Sequence, residues 1–222
     1  MKKLSFLKQS LSLFSLLLIL LINSCAPIFS EMQSARTVGK SNIDATVSFS
    51  SVGFRDTEEK ESTPVQNHIG FQAAYGLSDN VDLRVRYAYL WVDDDGGTAN
   101  ILGFGPKFSL VKDRLAGYVP LGFAFGGDIN KDYNSWQIHP TLIGTIPIVN
   151  KLEANPSFKV LIPFNKDDET TIAFNLGLGI TLSEGFTLRP EYGMLFNPGE
   201  KGYYKQFSIG VTFNPPGRTD KD

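Results

Sequence analysis

The sequence predicts an all-β fold: an up-and-down antiparallel transmembrane β-barrel of about ten strands. Three observations carry this. Residues 81–92 (VDLRVRYAYLWV) place Val81, Leu83, Val85, Tyr87, Tyr89 and Trp91 on one parity and Asp82, Arg84, Arg86 and Ala88 on the other, with Leu90 alone out of pattern. Alternation over this length marks a strand with one apolar and one polar face. At roughly 3.3 Å per residue the stretch reaches about 40 Å, and about 9–11 tilted residues suffice to cross a bilayer. Second, similar segments recur along the chain, separated by breaks that alternate between long acidic ones and short turns. Third, the chain is rich in glycine (21 of 222 residues) and phenylalanine (17), a mixture that suits strands, turns and bulges.

The first 24 residues read as a signal peptide rather than as part of the fold. Lys2, Lys3 and Lys8 make a positive start, and residues 11–22 are almost entirely apolar. Such a run is too short to span a bilayer and fits the core of a leader. Ile22-Asn23-Ser24-Cys25 follows and resembles a bacterial lipobox, which implies cleavage before Cys25 and acylation of that residue; Asn23 is an unusual occupant of its position. Cys25 is the single cysteine, so no disulfide forms within the chain and no cysteine cluster holds a metal. Residues 25–41 lack a clear period and read as a lipidated tether.

The barrel is expected over residues 42–213. A strand over 43–54 alternates through Val47 and Phe49 and slips at Ser50-Ser51, where a bulge is expected. Residues 55–66 read as a charged loop. A strand over 68–77 places Ile69, Phe71, Ala73, Tyr75 and Leu77 on one face; residues 78–80 turn into the strand at 81–92. After the acidic loop at 93–100, strands are expected over 101–111 and 115–125 across a short turn. Residues 126–135 loop out, and strands over 136–148 and 152–164 flank a turn at 149–151. Residues 165–170 form the next loop. The strand over 171–182 carries Ile172, Phe174, Leu176, Leu178 and Ile180 outward with glycines opposite, and a turn at 183–185 leads to a strand over 186–196. A loop over 197–202 leads to the last strand, 203–213, and residues 214–222 are a polar tail. An even strand number puts both ends of the barrel at the short-turn side, where a lipidated N-terminus would also be held.

Short turns alternating with longer loops is the pattern of an up-and-down membrane barrel, and a Greek-key sandwich has no reason to keep it. Phe54, Trp91, Phe125, Trp136, Phe164, Phe196 and Tyr203 fall at the strand ends facing the long loops, as an aromatic girdle would. In the last strand Phe207, Ile209, Val211 and Phe213 alternate. With these features the chain resembles small bacterial outer-membrane β-barrels with a lipoprotein-type leader, and its last strand is similar to their C-terminal assembly signal, although Phe213 is not the final residue. The resemblance implies residence in the outer membrane of a Gram-negative bacterium and contact with outer-membrane lipid, surface glycolipid and the barrel-assembly machinery. Prolines resist the pattern. Pro106, Pro120, Pro140, Pro156 and Pro190 fall inside expected strands, where a residue without an N–H belongs only at edges, starts or bulges. Several strands should therefore be bulged or shortened, or the sheet opens there.

The inward parity gathers Arg84, Arg86, Lys107, Gln137, His139, Glu153, Asn155, Lys159, Arg189 and Glu191. Charges in a narrow lumen must pair or stay hydrated, so these read as a polar network filling the interior, with a selective pore or small-ligand cavity as the sharper alternative. His68 and His139 are the two histidines, both on the lumen parity, and no catalytic motif accompanies them. Asp128, Asn130, Asp132 and Asn134 alternate like the start of a calcium loop, but Tyr133 and His139 stand where a glycine and an acid are needed. No metal site or cofactor is expected. The net charge of −2 gives nucleic acid no footprint. The reading is a non-enzymatic membrane barrel with a structural, surface-interaction or passive-pore role. An outer-membrane enzyme acting on lipid or peptide, and a soluble periplasmic barrel binding a small apolar ligand, stay open as rivals.

Overall fold

Among the described residues, thirteen strand segments build one antiparallel sheet that closes on itself. The structure, a computed structural model, describes residues 28–58, 61–92, 97–126, 136–165 and 168–215. The segments are β1 (Ile43–Asp56), β2 (Ser62–Ser78), β3 (Val81–Trp91), β4 (Thr98–Val111), β5 (Leu115–Tyr118), β6 (Leu121–Phe125), β7 (Trp136–Ile138), β8 (Thr141–Gly144), β9 (Ile146–Val149), β10 (Leu152–Pro163), β11 (Thr171–Ser183), β12 (Phe186–Phe196) and β13 (Gly202–Phe213). β5 with β6 makes one stave, as do β7, β8 and β9 together, giving a ten-stave barrel. It closes where β1 pairs with β13, from Ala45 opposite Phe213 to Asp56 opposite Gly202. Consecutive staves are neighbours throughout, the up-and-down order that the rhythm of the breaks predicts.

The prolines act as expected at two places and differently at three. Pro120 separates β5 from β6 and Pro140 separates β7 from β8, yet register holds across both gaps. Lys107 opposite Tyr118 and Phe104 opposite Leu121 belong to one unbroken register, as do Ser157 opposite Ile143 and Ile162 opposite Ile138. A proline removes only a donor, and its carbonyl still accepts. The Pro120 carbonyl takes the His139 N–H at 2.9 Å, the Pro140 carbonyl takes Val160 at 3.0 Å and the Pro106 carbonyl takes Val119 at 3.1 Å. Pro106, Pro156 and Pro190 stay within β4, β10 and β12. Gly105 is required at the first break, because a Cβ there would run into the carbonyl of Val119 and the Cα of Pro120. The barrel closes despite its prolines.

Two local expectations are corrected. The charged loop expected at 55–66 shrinks, because β1 runs to Asp56 and β2 starts at Ser62. The bulge falls not at Ser50-Ser51 but between Val52 and Gly53, which face Gln66 and Pro64 and leave Val65 as the extra residue on β2. Pro64 explains the site: a residue with no N–H is accommodated where the ladder already skips.

The outer face is apolar. Val47, Leu176 and Phe207 are 57–58% exposed, with Phe71, Tyr75, Leu83, Phe104, Phe174 and Ile209 among many others also open. A contiguous band of this size marks a surface meant for lipid or a partner rather than water. Aromatic contacts gather toward the long-loop ends. Phe123 stacks on Trp136 with centroids 4.5 Å apart, Phe196 meets Tyr203 at 5.5 Å, and Tyr89 stacks on Trp91 at 6.0 Å. Phe54 leaves this set: it lies on the inward parity and contacts Tyr204 at 5.2 Å, over the buried cluster of Phe29, Val52, Leu161, Ala173 and Leu195. Leu90, which breaks the alternation of β3, points inward and is fully buried.

Candidate functional site: a lumen threaded by the chain's own N-terminal segment

Of the stretch expected as a lipidated tether, residues 28–38 lie inside the barrel. Residues 28–35 are all buried, and so are Thr37 and Val38. Phe29 packs on Val52, Leu161, Ala173 and Leu195, all within a few residues of the long-loop ends of their strands. At the other end the Lys40 N–H reaches Asp79 Oδ1 at 3.1 Å and the Ser41 N–H reaches the Gly76 carbonyl at 2.8 Å, beside the short β2–β3 turn. The segment therefore runs down the lumen from the long-loop end and reverses at the short-turn end into β1. Both ends of the barrel wall lie at the short-turn side as expected, but Ile28 lies at the opposite end. Sequence reasoning missed this because an extended segment held by side chains on all sides has no apolar period to read.

Side chains of the wall reach inward from most staves. On the loop side, Lys159 of β10 meets Glu31 Oε1 at 2.6 Å, with both groups about 1% exposed. Arg86 of β3 lies 3.9 Å from the other oxygen of Glu31 and donates to the Glu31 carbonyl at 3.3 Å, beside Gln72 of β2 at 3.2 Å. Glu191 of β12 accepts two successive backbone N–H groups, Glu31 at 2.8 Å and Met32 at 2.7 Å. Met32 holds φ at 46°, a left-handed conformation uncommon outside glycine. Two adjacent N–H groups converging on one carboxylate is the geometry of a backbone anion nest. Gly193 gives way to Phe29: a Cβ there would stand 3.0 Å from its ring and overlap Asn175.

Nearer the short turns, Asp82 of β3 accepts the Val38 N–H at 3.0 Å and lies 3.5 Å from both Arg84 and Lys107. Arg84 also pairs with Asp44 at 3.1 Å. Lys107 of β4 donates to the carbonyls of Ser34 and Arg36. Arg36 pairs with Glu153, which lies 3.7 Å from Arg189. Arg189 in turn donates to Asn155 at 3.1 Å and Thr212 at 2.9 Å. Thus Arg84, Arg86, Lys107, Glu153, Lys159, Arg189 and Glu191 join one network. Its other ionic members, Glu31, Arg36, Asp44 and Asp82, were not singled out from the sequence. Asp82 was visible on the polar parity of β3; Glu31 and Arg36 had no pattern to mark them.

His139 stands apart. It is hydrogen-bonded to Gln137 at 3.0 Å, and its ring crosses to Gly122 of β6. His68 is buried with neither ring nitrogen hydrogen-bonded. The gap beside Met32, Gln33 and Arg189 has no room for a water molecule. Among the described residues no three acids, histidines or cysteines group as a metal site. Cys25, the leader, residues 93–96 and the calcium-like residues 128–134 lie outside the described residues.

No family model matches the chain, and no curated protein matches it. Solved structures do. The translocator domain of the autotransporter NalP from Neisseria meningitidis is 9% identical with a TM-score of 0.46, covering 79% of this chain and 89% of that one. Ail, the attachment invasion locus protein of Yersinia pestis, is 9% identical with a TM-score of 0.37, covering 79% of this chain and 99% of that one. The CymD monoaromatic hydrocarbon channel is 6% identical with a TM-score of 0.43, covering 79% and 88%.

Proposed function

We propose that the protein is an outer-membrane β-barrel sealed by its own N-terminal segment, with a structural or surface-interaction role rather than passive solute passage. The observation that carries this is the buried run of residues 28–38 through the lumen, ion-paired at Glu31 and Arg36. The exposed apolar outer face supports lipid as its surroundings, with the long loops outward. Surface glycolipid would then be the neighbour of those loops, and the alternating Phe207, Ile209, Val211 and Phe213 would serve recognition by the assembly machinery. Cys25 is the proposed lipidation site. It lies three residues before Ile28, a reach of at most about 10 Å, so an acyl group there would sit at the long-loop mouth rather than at the short-turn side.

Planar-bilayer recording tests the seal. The intact protein is expected to be electrically silent, and a variant lacking residues 28–38 is expected to conduct. Steady conductance from the intact protein would defeat the proposal. Mass spectrometry of the N-terminal peptide checks acylation of Cys25, and labelling of intact cells checks the face on which it emerges.

A further inference from the structure

The wall reads the main chain of the threaded segment as well as its side chains. Four backbone N–H groups of the segment are accepted by wall side chains. Glu191 takes those of Glu31 and Met32, Thr145 takes that of Ala35 at 2.7 Å, and Asp82 takes that of Val38. Carbonyls are served in the same way. Asn175 donates to Phe29 at 2.8 Å, Gln72 and Arg86 donate to Glu31, and Lys107 donates to Ser34 and Arg36. These groups come from five different strands and from the gap between β8 and β9. An extended peptide that joins no sheet must find partners for its buried N–H and C=O groups elsewhere, and here the partners are built into the wall. Side chains of the segment are read at three positions: Glu31 between Lys159 and Arg86, Arg36 against Glu153, and Phe29 in the apolar cluster of Val52, Leu161, Ala173 and Leu195. Between Glu31 and Arg36 lie Met32, Gln33, Ser34 and Ala35, all buried.

We propose that the lumen is a binding site for an extended polypeptide carrying an acidic residue, occupied in cis by residues 28–38 and open to competition by such a peptide in trans. Main-chain recognition supplies contacts that do not depend on the peptide's sequence, while the Lys159–Arg86 pair demands a carboxylate at one register and the cluster around Phe29 an apolar side chain at another. Lys40 and Ser41 are exposed at the turn that joins the segment to β1, so the connection can be cut without touching the buried contacts.

The test uses the full chain with a site-specific protease sequence inserted between Lys40 and Ser41. After cleavage in detergent, a fluorescently labelled synthetic peptide of residues 26–40 is added in excess and its anisotropy followed, with gel mobility of the unheated sample reporting the intact barrel. Saturable uptake of one peptide per barrel, displaced by unlabelled peptide, is expected. Peptide carrying Glu31→Lys should bind more than about 30-fold more weakly, since removing one side of a buried charge pair costs at least that, and a barrel carrying Lys159→Glu should recover its binding. Failure of the labelled peptide to enter an intact cleaved barrel over several days at 37 °C would overturn the proposal, as would equal binding of the Glu31→Lys peptide. Wild-type conductance is measured separately, so failure of peptide exchange and failure of the sealed-barrel reading remain distinguishable.

Discussion

Replacing Lys159 by Met isolates the strongest contact between wall and segment. The change removes an ammonium 2.6 Å from Glu31 and leaves that carboxylate buried with Arg86 at 3.9 Å and the Gln33 amide at 2.6 Å. Breaking a buried pair from one side typically costs about 3–5 kcal/mol. Arg86 and Gln33 keep Glu31 partly compensated, so the expected loss is at the low end, about 3 kcal/mol. The double variant Glu31→Gln with Lys159→Met removes both charges, and because desolvation of the pair offsets much of its attraction, it should lie within about 1 kcal/mol of wild type. The resulting coupling of about 2 kcal/mol or more is measurable by a double-mutant cycle. Urea unfolding of the vesicle-inserted protein, followed by tryptophan fluorescence, gives the stabilities; limited proteolysis of residues 28–41 shows whether the loss is local release of the segment or global. A single variant within about 0.5 kcal/mol of wild type, or a double variant as costly as the two singles summed, would refute the reasoning.

Glu191→Gln keeps one acceptor but points an amide donor at a backbone N–H of Glu31 or Met32. An expected cost of about 1–3 kcal/mol should appear as faster proteolysis of the segment, with the barrel's resistance to heat little changed. Leu176, at mid-height of β11 and 57% exposed on the outer face, should cost about 2–4 kcal/mol when changed to Arg if lipid surrounds it; reversible folding into vesicles measures this, and a neutral result would argue against a membrane-facing wall. Lys151 holds φ at 69° in the turn between β9 and β10. Lys151→Gly should stabilise the barrel by about 1 kcal/mol by relieving left-handed strain, read as a rise in the urea midpoint.

What the sequence disclosed follows from where each residue's constraint comes from. β3, β11 and β13 were legible because an exposed apolar outer face and a polar lumen impose strict parity, so Tyr87 and Arg86 announce opposite faces. The interrupted staves were harder. Pro120 and Pro140 fall inside the strands expected over 115–125 and 136–148 and argue for bulges or shortening there, yet register passes through them because cross-strand bonds use their carbonyls. The bulge was misplaced by one turn of the pattern because the deciding residue, Pro64, lies on the opposite strand from the one that seemed to slip. Phe54 looked like a girdle ring because its position along the strand was right, while its parity is inward.

The threaded segment was illegible for a deeper reason. Its conformation is set by long-range contacts whose sequence separations exceed 100 residues for Glu31–Glu191, Ala35–Thr145 and Arg36–Glu153. Nothing local in residues 28–38 demands that they lie in a lumen. The clue lay instead in the wall: an inward parity bearing Arg84, Arg86, Lys107, Lys159, Arg189, Asp82, Glu153 and Glu191 brings many charged groups into a space that ten staves would leave narrow. Pairing among themselves satisfies part of that set, as in Arg84 with Asp44 and Asp82. The rest need a partner with both donors and acceptors distributed along the barrel axis, which a stretch of extended backbone supplies. An inward face too polar for its own volume is therefore evidence for an occupant, and in this chain residues 28–38 are that occupant.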